Sequence, residues 1–117
     1  MKNLIITLII MLSLFSCQKD IENINVKGII IDSQTKNPVE NVEVTIICWY
    51  YGNSPDQSYK DKFTKTVKTN HRGVYSVDFD KGAYVEVLTS VSNYMDGHEV
   101  TYVEKRENTI DITIVPK

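Results

Sequence analysis

The sequence predicts an all-β protein, a sandwich of two sheets built from seven short strands. Three observations predict it. From Val26 onward, apolar residues recur with period two, the spacing of a half-buried strand. The alternating runs are rich in Val, Ile, Thr, Tyr and Phe, the residues that suit a pleated surface. Clusters of Asn, Asp, Gly, Ser and Pro separate the runs, and no convincing amphipathic helix interrupts them. Seven strands within about 90 residues suit a sandwich better than any mixed α/β arrangement.

The first expected strand is Val26 to Ile31, which contains Lys27 and Gly28. Ser33 to Pro38 (SQTKNP) is a turn cluster. Asn41 to Tyr51 (NVEVTIICWYY) places Val42, Val44, Ile46, Cys48 and Tyr50 on one face and Ile47, Trp49 and Tyr51 on the other. A long loop follows, Gly52 to Asp61. Phe63 to Thr69, rich in Thr and Lys, reads as an edge strand. Asn70 to Gly73 is expected to join it, hairpin-fashion, to Val74–Phe79, where Tyr75, Val77 and Phe79 share a face. Asp80-Lys81-Gly82 reads as a tight turn before Ala83–Val91, with Val85, Val87 and Val91 together. Glu99 to Val103 alternates Val100 and Tyr102 against Thr101 and Val103. Thr109 to Val115 aligns Ile110, Ile112 and Ile114.

The chain has 117 residues and a formal charge of −2. That length suits one domain. Basic residues are scattered among the acids, so no nucleic-acid footprint is present. The first residues differ from the rest. Met1-Lys2-Asn3 is a short positive segment, and Leu4 to Phe15 is a twelve-residue apolar run broken by Thr7 and Ser13. A membrane-spanning helix needs about 20 apolar residues, so this run has the dimensions of a secretory signal. It ends in Leu14-Phe15-Ser16-Cys17, which resembles a bacterial lipobox, where the cysteine sulfur receives a diacylglycerol and becomes the first residue. The expected organisation is residues 1–16 as signal peptide, 17–25 as a lipid-anchored tether, and 26–116 as the sandwich. The chain after residue 16 has twelve basic and fifteen acidic residues, net −3. Gln18 in place of Asp lacks the enteric inner-membrane retention signal. Gln18-Lys19-Asp20 with Glu22 also resembles the acidic-lysine export tag of Bacteroidetes surface lipoproteins. The expected location is therefore the outer membrane, lipid-anchored and surface-displayed. With Cys17 acylated, Cys48 is unpaired and reads as a small buried apolar residue.

The strand runs also carry a family resemblance. Val26-Lys-Gly28-Ile-Ile30-Ile-Asp32 followed by Thr35-Lys-Asn-Pro38-Val39-Glu-Asn-Val42-Glu-Val44 resembles the opening of the carboxypeptidase regulatory-like domain. Thr69-Asn-His-Arg-Gly73-Val-Tyr75-Ser-Val77 is similar to its second block, and Asn108-Thr-Ile110-Asp-Ile112-Thr-Ile114 to its last strand. The resemblance spans residues 25 to 116 and implies a transthyretin-like seven-stranded sandwich. In it Gly28 lets a neighbouring chain pack close or permits a bulge, Pro38 fixes φ before the second strand, and Asp32 and Thr69 bond turn backbone. Two departures stand out. The family's Gly-Tyr pair after the sixth strand is replaced by Ser92–Gly97, where Tyr94 is expected to do the same work, and the loop Gly52 to Asp61 is longer than expected.

No catalytic constellation is legible. Hydroxyisourate hydrolases share the transthyretin-like fold but carry a Tyr-Arg-Gly-Ser tail, where this chain reads Ile114-Val115-Pro116-Lys117. His71 and His98 read as solvated loop residues, and no G-x-S-x-G occurs. Asp78 and Asp80 read as a solvated outer face, since a hard-cation site needs six or more oxygens. Neither zinc spacing nor a phosphate loop is present, so no metal and no cofactor is expected. The distinctive feature is aromatic. Ile47, Trp49 and Tyr51, with Tyr59 late in the long loop, form the candidate binding surface, since exposed aromatics favour protein interfaces and sugar stacking. The alternative is that the long loop covers this face. The functional expectation is a non-enzymatic envelope lipoprotein whose sandwich is a binding or structural module, contacting a protein or glycan. The alternatives are an inhibitor or immunity-like protein that blocks an enzyme with its aromatic loop, and a small hydrolase on the same fold.

Overall fold

The structure, a computed structural model, describes residues 19–117. The expected signal peptide, Cys17 and Gln18 lie outside the described residues. Eight strands follow one another: β1 Ile21–Asp32, β2 Glu43–Tyr50, β3 Asp61–Lys68, β4 Val74–Gly82, β5 Tyr84–Ser90, β6 Gly97–Tyr102, β7 Glu107–Thr109 and β8 Ile112–Ile114. They form two sheets face to face, β4-β1 with β7 and β8 along the far side of β1, and β3-β2-β5-β6. The predicted all-β sandwich is the observed fold. Its core lies between the sheets, with Ile24, Val26 and Ile30 of β1, Val44, Ile46 and Cys48 of β2, and Val85 and Val87 of β5 all almost solvent-free.

The seventh expected run is two strands, β7 and β8, both parallel to β1. It breaks at Ile110–Asp111, where the chain crosses Gly28. A Cβ on Gly28 would lie 1.9 Å from the Ile110 carbonyl oxygen, so only glycine admits this approach. The crossing is held by three bonds: the Tyr75 hydroxyl donates to Ile110 O at 2.6 Å, Ile110 N–H to Lys27 O at 2.7 Å, and Ile29 N–H to the Asp111 carboxylate at 2.9 Å. The close packing expected at Gly28 is what occurs.

Three expectations need correction. First, β1 begins at Ile21, so Ile21–Asn25 belong to the sheet and not to a tether; Ile24 is buried. Asn23 takes a left-handed φ of 54°, which its short polar side chain tolerates, and Ile21 packs against the core. Second, Asp80-Lys81-Gly82 is strand, pairing with β1 through Glu22↔Lys81 and Ile21↔Gly82. The chain changes sheet at Ala83 alone, because Gly82 lies directly against Cys48, where a Cβ would sit 2.2 Å from its Sγ. Third, Asn70–Gly73 is a tight turn, with Asn70 Oδ1 accepting the N–H groups of Arg72 and Val74, but it links strands of different sheets. β3 pairs with β2 and β4 with β1.

The polar residues expected to hold turns do so. Asp32 accepts the N–H groups of Gln34 and Thr35 and the Tyr94 hydroxyl at 2.7 Å. Tyr94 thereby ties the β5–β6 connection to the first turn, and with the Thr35 and Gln34 bonds it holds the Asp32 carboxyl below its ordinary value. Thr69 bonds both Val42 N–H and Val39 O through its hydroxyl. Pro38 bridges to Ile31 just before the chain turns into β2.

Candidate functional site

The β3-β2-β5-β6 sheet has one face in the core, and its outer face carries the site. Register sets the rows. Trp49 of β2 lies opposite Lys62 of β3 and Tyr84 of β5, and Tyr84 lies opposite Tyr102 of β6. One row beyond, Ile47 lies between Thr64 and Glu86, with Val100 outside Glu86. Beyond that, Leu88 lies between Thr45 and His98. The strands thus line up a mixed surface of apolar and polar side chains whose aromatic row runs from Trp49 to Tyr102.

Ring contacts make that row continuous. Trp49 and Tyr59 centroids are 6.0 Å apart, Tyr59 and Tyr51 4.8 Å, Tyr59 and Tyr84 6.0 Å, and Tyr84 and Tyr102 5.1 Å. Tyr59 is the hub. It comes from the long loop, which folds back as Lys60 N–H bonds Tyr50 O at 2.9 Å. Burial, with a hydrogen bond to Tyr51, pushes the Tyr59 phenol up to about 12. Trp49 is held at its edge and on its face: its Nε1 donates to Glu86 Oε2 at 3.0 Å, and the Lys62 ammonium sits 4.8 Å from its ring centroid. Such a cation over a ring face is itself attractive.

The structure therefore brings together all four residues singled out from the sequence, Ile47, Trp49, Tyr51 and Tyr59, on the predicted face. It also places them half-buried, with Tyr59 lying over Trp49 and Tyr51. The exposed part of the surface is made by residues the sequence reading did not select: Tyr102 at 68% exposure, Val100 at 45% and Leu88 at 37%. Their alternation within β5 and β6 was visible in the sequence, but the pairing that aligns Tyr102 with Trp49 across Tyr84 was not.

The remaining candidates are dispersed. His71 is exposed in the β3–β4 turn. His98 is on β6 rather than in a loop, with Nε2 3.7 Å from Glu86 Oε1. Asp78 and Asp80 are exposed on β4, and Asp78 accepts from Asn25 Nδ2. Cys48 is fully buried, and desolvation first, then the nearby Asp20 charge, pushes its thiol up to about 12. Among the described residues no group of three or more His, Cys, Asp or Glu side chains is arranged to hold a metal ion.

No protein-family profile matches the chain, and no curated protein matches it. Solved structures do. A 3-chlorocatechol 1,2-dioxygenase from Rhodococcus opacus 1CP is similar over 87% of this chain and 61% of its own, with TM-score 0.62 and 9% identity. The dioxygenase domain of a dioxygenase carbohydrate-binding protein fusion from Streptomyces sp. SirexAA-E is similar over 88% and 84%, with TM-score 0.61 and 11% identity. A group B streptococcus pilus 2b backbone protein is similar over 79% and 40%, with TM-score 0.58 and 8% identity. The chain spans less than two thirds of the chlorocatechol dioxygenase and of the pilus protein. At these identities the likeness is one of fold, a β-sandwich used both in enzymes and in a surface fibre.

Proposed function

We propose that this chain is a non-enzymatic envelope lipoprotein, anchored to the outer membrane through lipid on Cys17. Its sandwich is a carboxypeptidase regulatory-like, transthyretin-like module that binds a protein or a glycan. The observation that carries the binding role is the aromatic row ending in Tyr102, a rigid platform with one ring largely open to solvent. Backing the exposed ring with Tyr84 restricts it in advance, which lowers the ordering cost of binding.

The state of the titratable groups supports a non-catalytic role. Among the described residues, the perturbed groups other than Tyr59, whose phenol is raised by burial within the aromatic row, are engaged in holding structure. Asp32 and Tyr94 close a turn, Tyr75 pins the β7–β8 crossing, Asp56 binds the hydroxyls of Ser54 and Ser58 within its loop, and Cys48 is sealed in the core. The loop's aromatic residue turns inward onto its own sheet, which favours a flat sheet-face contact over an inhibitor's projecting loop. The likeness to dioxygenases brings no activity to this chain.

The test is capture of envelope glycans and outer-membrane proteins by the domain from Lys19 onward, side by side with Tyr102→Ala. A ligand retained equally by the variant would remove the aromatic row from the role. Turnover in a hydrolase screen that is abolished by His71 or His98 substitution would replace the reading with an enzymatic one. For the anchor, Cys17→Ala should abolish lipid labelling; unchanged membrane partition in that variant would refute it.

A further inference from the structure

The start of β1 and the long loop lie at the same end of the sandwich, and one side chain joins them. Asp20 uses both carboxylate oxygens: Oδ1 accepts Tyr51 N–H at 2.8 Å and Oδ2 accepts Gly52 N–H at 2.9 Å. Two charge-assisted bonds to a single carboxylate fix orientation as well as position. Between the chain start and the loop lies a concavity of about 520 Å³, lined by Lys19, Lys60 and Lys81 together with Asp20 and Glu22. Asp20 is already engaged with the loop backbone, and the Lys81 ammonium also lies 4.7 Å from the Tyr50 ring centroid. Three lysines share the concavity with Asp20 and Glu22.

We propose that this end of the sandwich rests on the lipid headgroups of the membrane that carries the anchor, with Lys19, Lys60 and Lys81 over lipid phosphates and Asp20 as the positioning residue. The inference rests on the reading of Cys17 as the lipid-bearing residue. With β1 starting at Ile21, the stretch after Cys17 shortens from the eight residues 18–25 to the three residues 18–20, a reach of about 10 Å. The headgroup layer beyond the hydrocarbon is itself about 5–8 Å thick. A lipid on Cys17 therefore leaves this end within one lysine side chain of the phosphates. The chain after residue 16 carries net −3, while this concavity has three lysines against two carboxylates, a local excess of positive charge that an anionic surface attracts. Tyr51 lines it and contacts Tyr59, which in turn contacts Trp49, residue types that suit a membrane interface.

Trp49 is the single tryptophan and reports the height of this end. The lipidated full chain is placed in phosphatidylethanolamine–phosphatidylglycerol vesicles, with and without a nitroxide on the headgroup. The protein should float with the vesicles, and the nitroxide should lower Trp49 emission at least twofold. A probe at the opposite end, Met95→Trp in a Trp49→Phe background, should lose less than a tenth. Asp20→Ala should bring the two quenching ratios together; if that chain misfolds, Asp20→Asn, which retains one acceptor, should narrow the gap instead. Flotation with Trp49 unquenched, or with equal quenching at both ends of the unaltered frame, overturns the inference and leaves the anchor standing. Failure to float overturns the anchor and this inference with it.

Discussion

Replacing Gly28 with alanine should be among the most damaging single changes in the sandwich, and it should act through one carbonyl. The added Cβ would meet Ile110 O at 1.9 Å and the Tyr75 ring at 2.9 Å. Restoring ordinary contact requires the β7–β8 crossing to move by about 1.5 Å. Overpacking alone costs about 1–3 kcal/mol. The displacement also breaks the Tyr75–Ile110 bond, and a buried polar group left unpaired costs about 1–3 kcal/mol more. The expected total is about 2–6 kcal/mol, a large fraction of the ~5–15 kcal/mol that holds a domain folded. Tyr75→Phe alone should cost about 1–2 kcal/mol, because it strands the same carbonyl without moving it.

The two effects share an acceptor and so should not add. With Gly28→Ala in place the hydroxyl has already lost its partner, and Tyr75→Phe should then cost close to nothing. The coupling should equal the Tyr75→Phe cost, about 1–2 kcal/mol, within the range seen for residues in one network. Urea unfolding of the four species, followed by Trp49 fluorescence and far-UV circular dichroism, measures it. A Gly28→Ala cost below 1 kcal/mol, or additive behaviour, would show that the crossing yields freely and that the reasoning is wrong.

Other outcomes follow from the same contacts. Trp49→Ala should cost about 2 kcal/mol or more, since it removes a half-buried aromatic, whereas Tyr102→Ala should stay within about 0.5 kcal/mol of the parent in the same urea assay. The Cys48 thiol, pushed up to about 12 from an ordinary 9.0, should resist thiol reagents at pH 8 until the chain unfolds. Because its folded value is raised, its contribution to stability is complete below pH 9 and is lost as pH rises toward 12; Cys48→Ala should flatten that decline in pH-dependent denaturation. Asp32 and Asp56 are both held below their ordinary 3.8, Asp56 at about 2. Their contributions are present above pH 3.8 and fade as pH falls through the folded values, so Tyr94→Phe should raise the midpoint of acid unfolding followed by circular dichroism.

The faces of the strands were legible in the sequence and their partners were not. Alternation alone placed Val42, Val44, Ile46 and Cys48 inside and Ile47 and Trp49 outside, because a pleated strand sends successive side chains to opposite faces. It failed where the backbone leaves the pleat. The polar start of β1 reads as tether because Ile21 and Ile24 are three apart, and a left-handed Asn23 accommodates that spacing. Asp80-Lys81-Gly82 has turn composition, yet Gly82 is needed for its close approach to Cys48 and not for a reversal. The candidate site shows the same division. The aromatic run around Trp49 was visible as composition, but Tyr84 and Tyr102 joined it through pairing between distant strands, and local pattern carries no register between them.

The parallel pairing of β1 with β7 and β8 also dictates when the sandwich can close. Asn108 bonds Asn25 across a separation of 83 residues, and the carbonyl that receives the Tyr75 hydroxyl belongs to Ile110. A chain emerging from its amino end exposes β1 before any other strand and supplies its neighbours β7 and β8 only after the other five. Until then one edge of β1 is open, and Tyr75 has no acceptor. Such non-local closure is slow compared with local pairing. Closure of the first sheet therefore waits on β7 and β8, the last of the eight strands to be made.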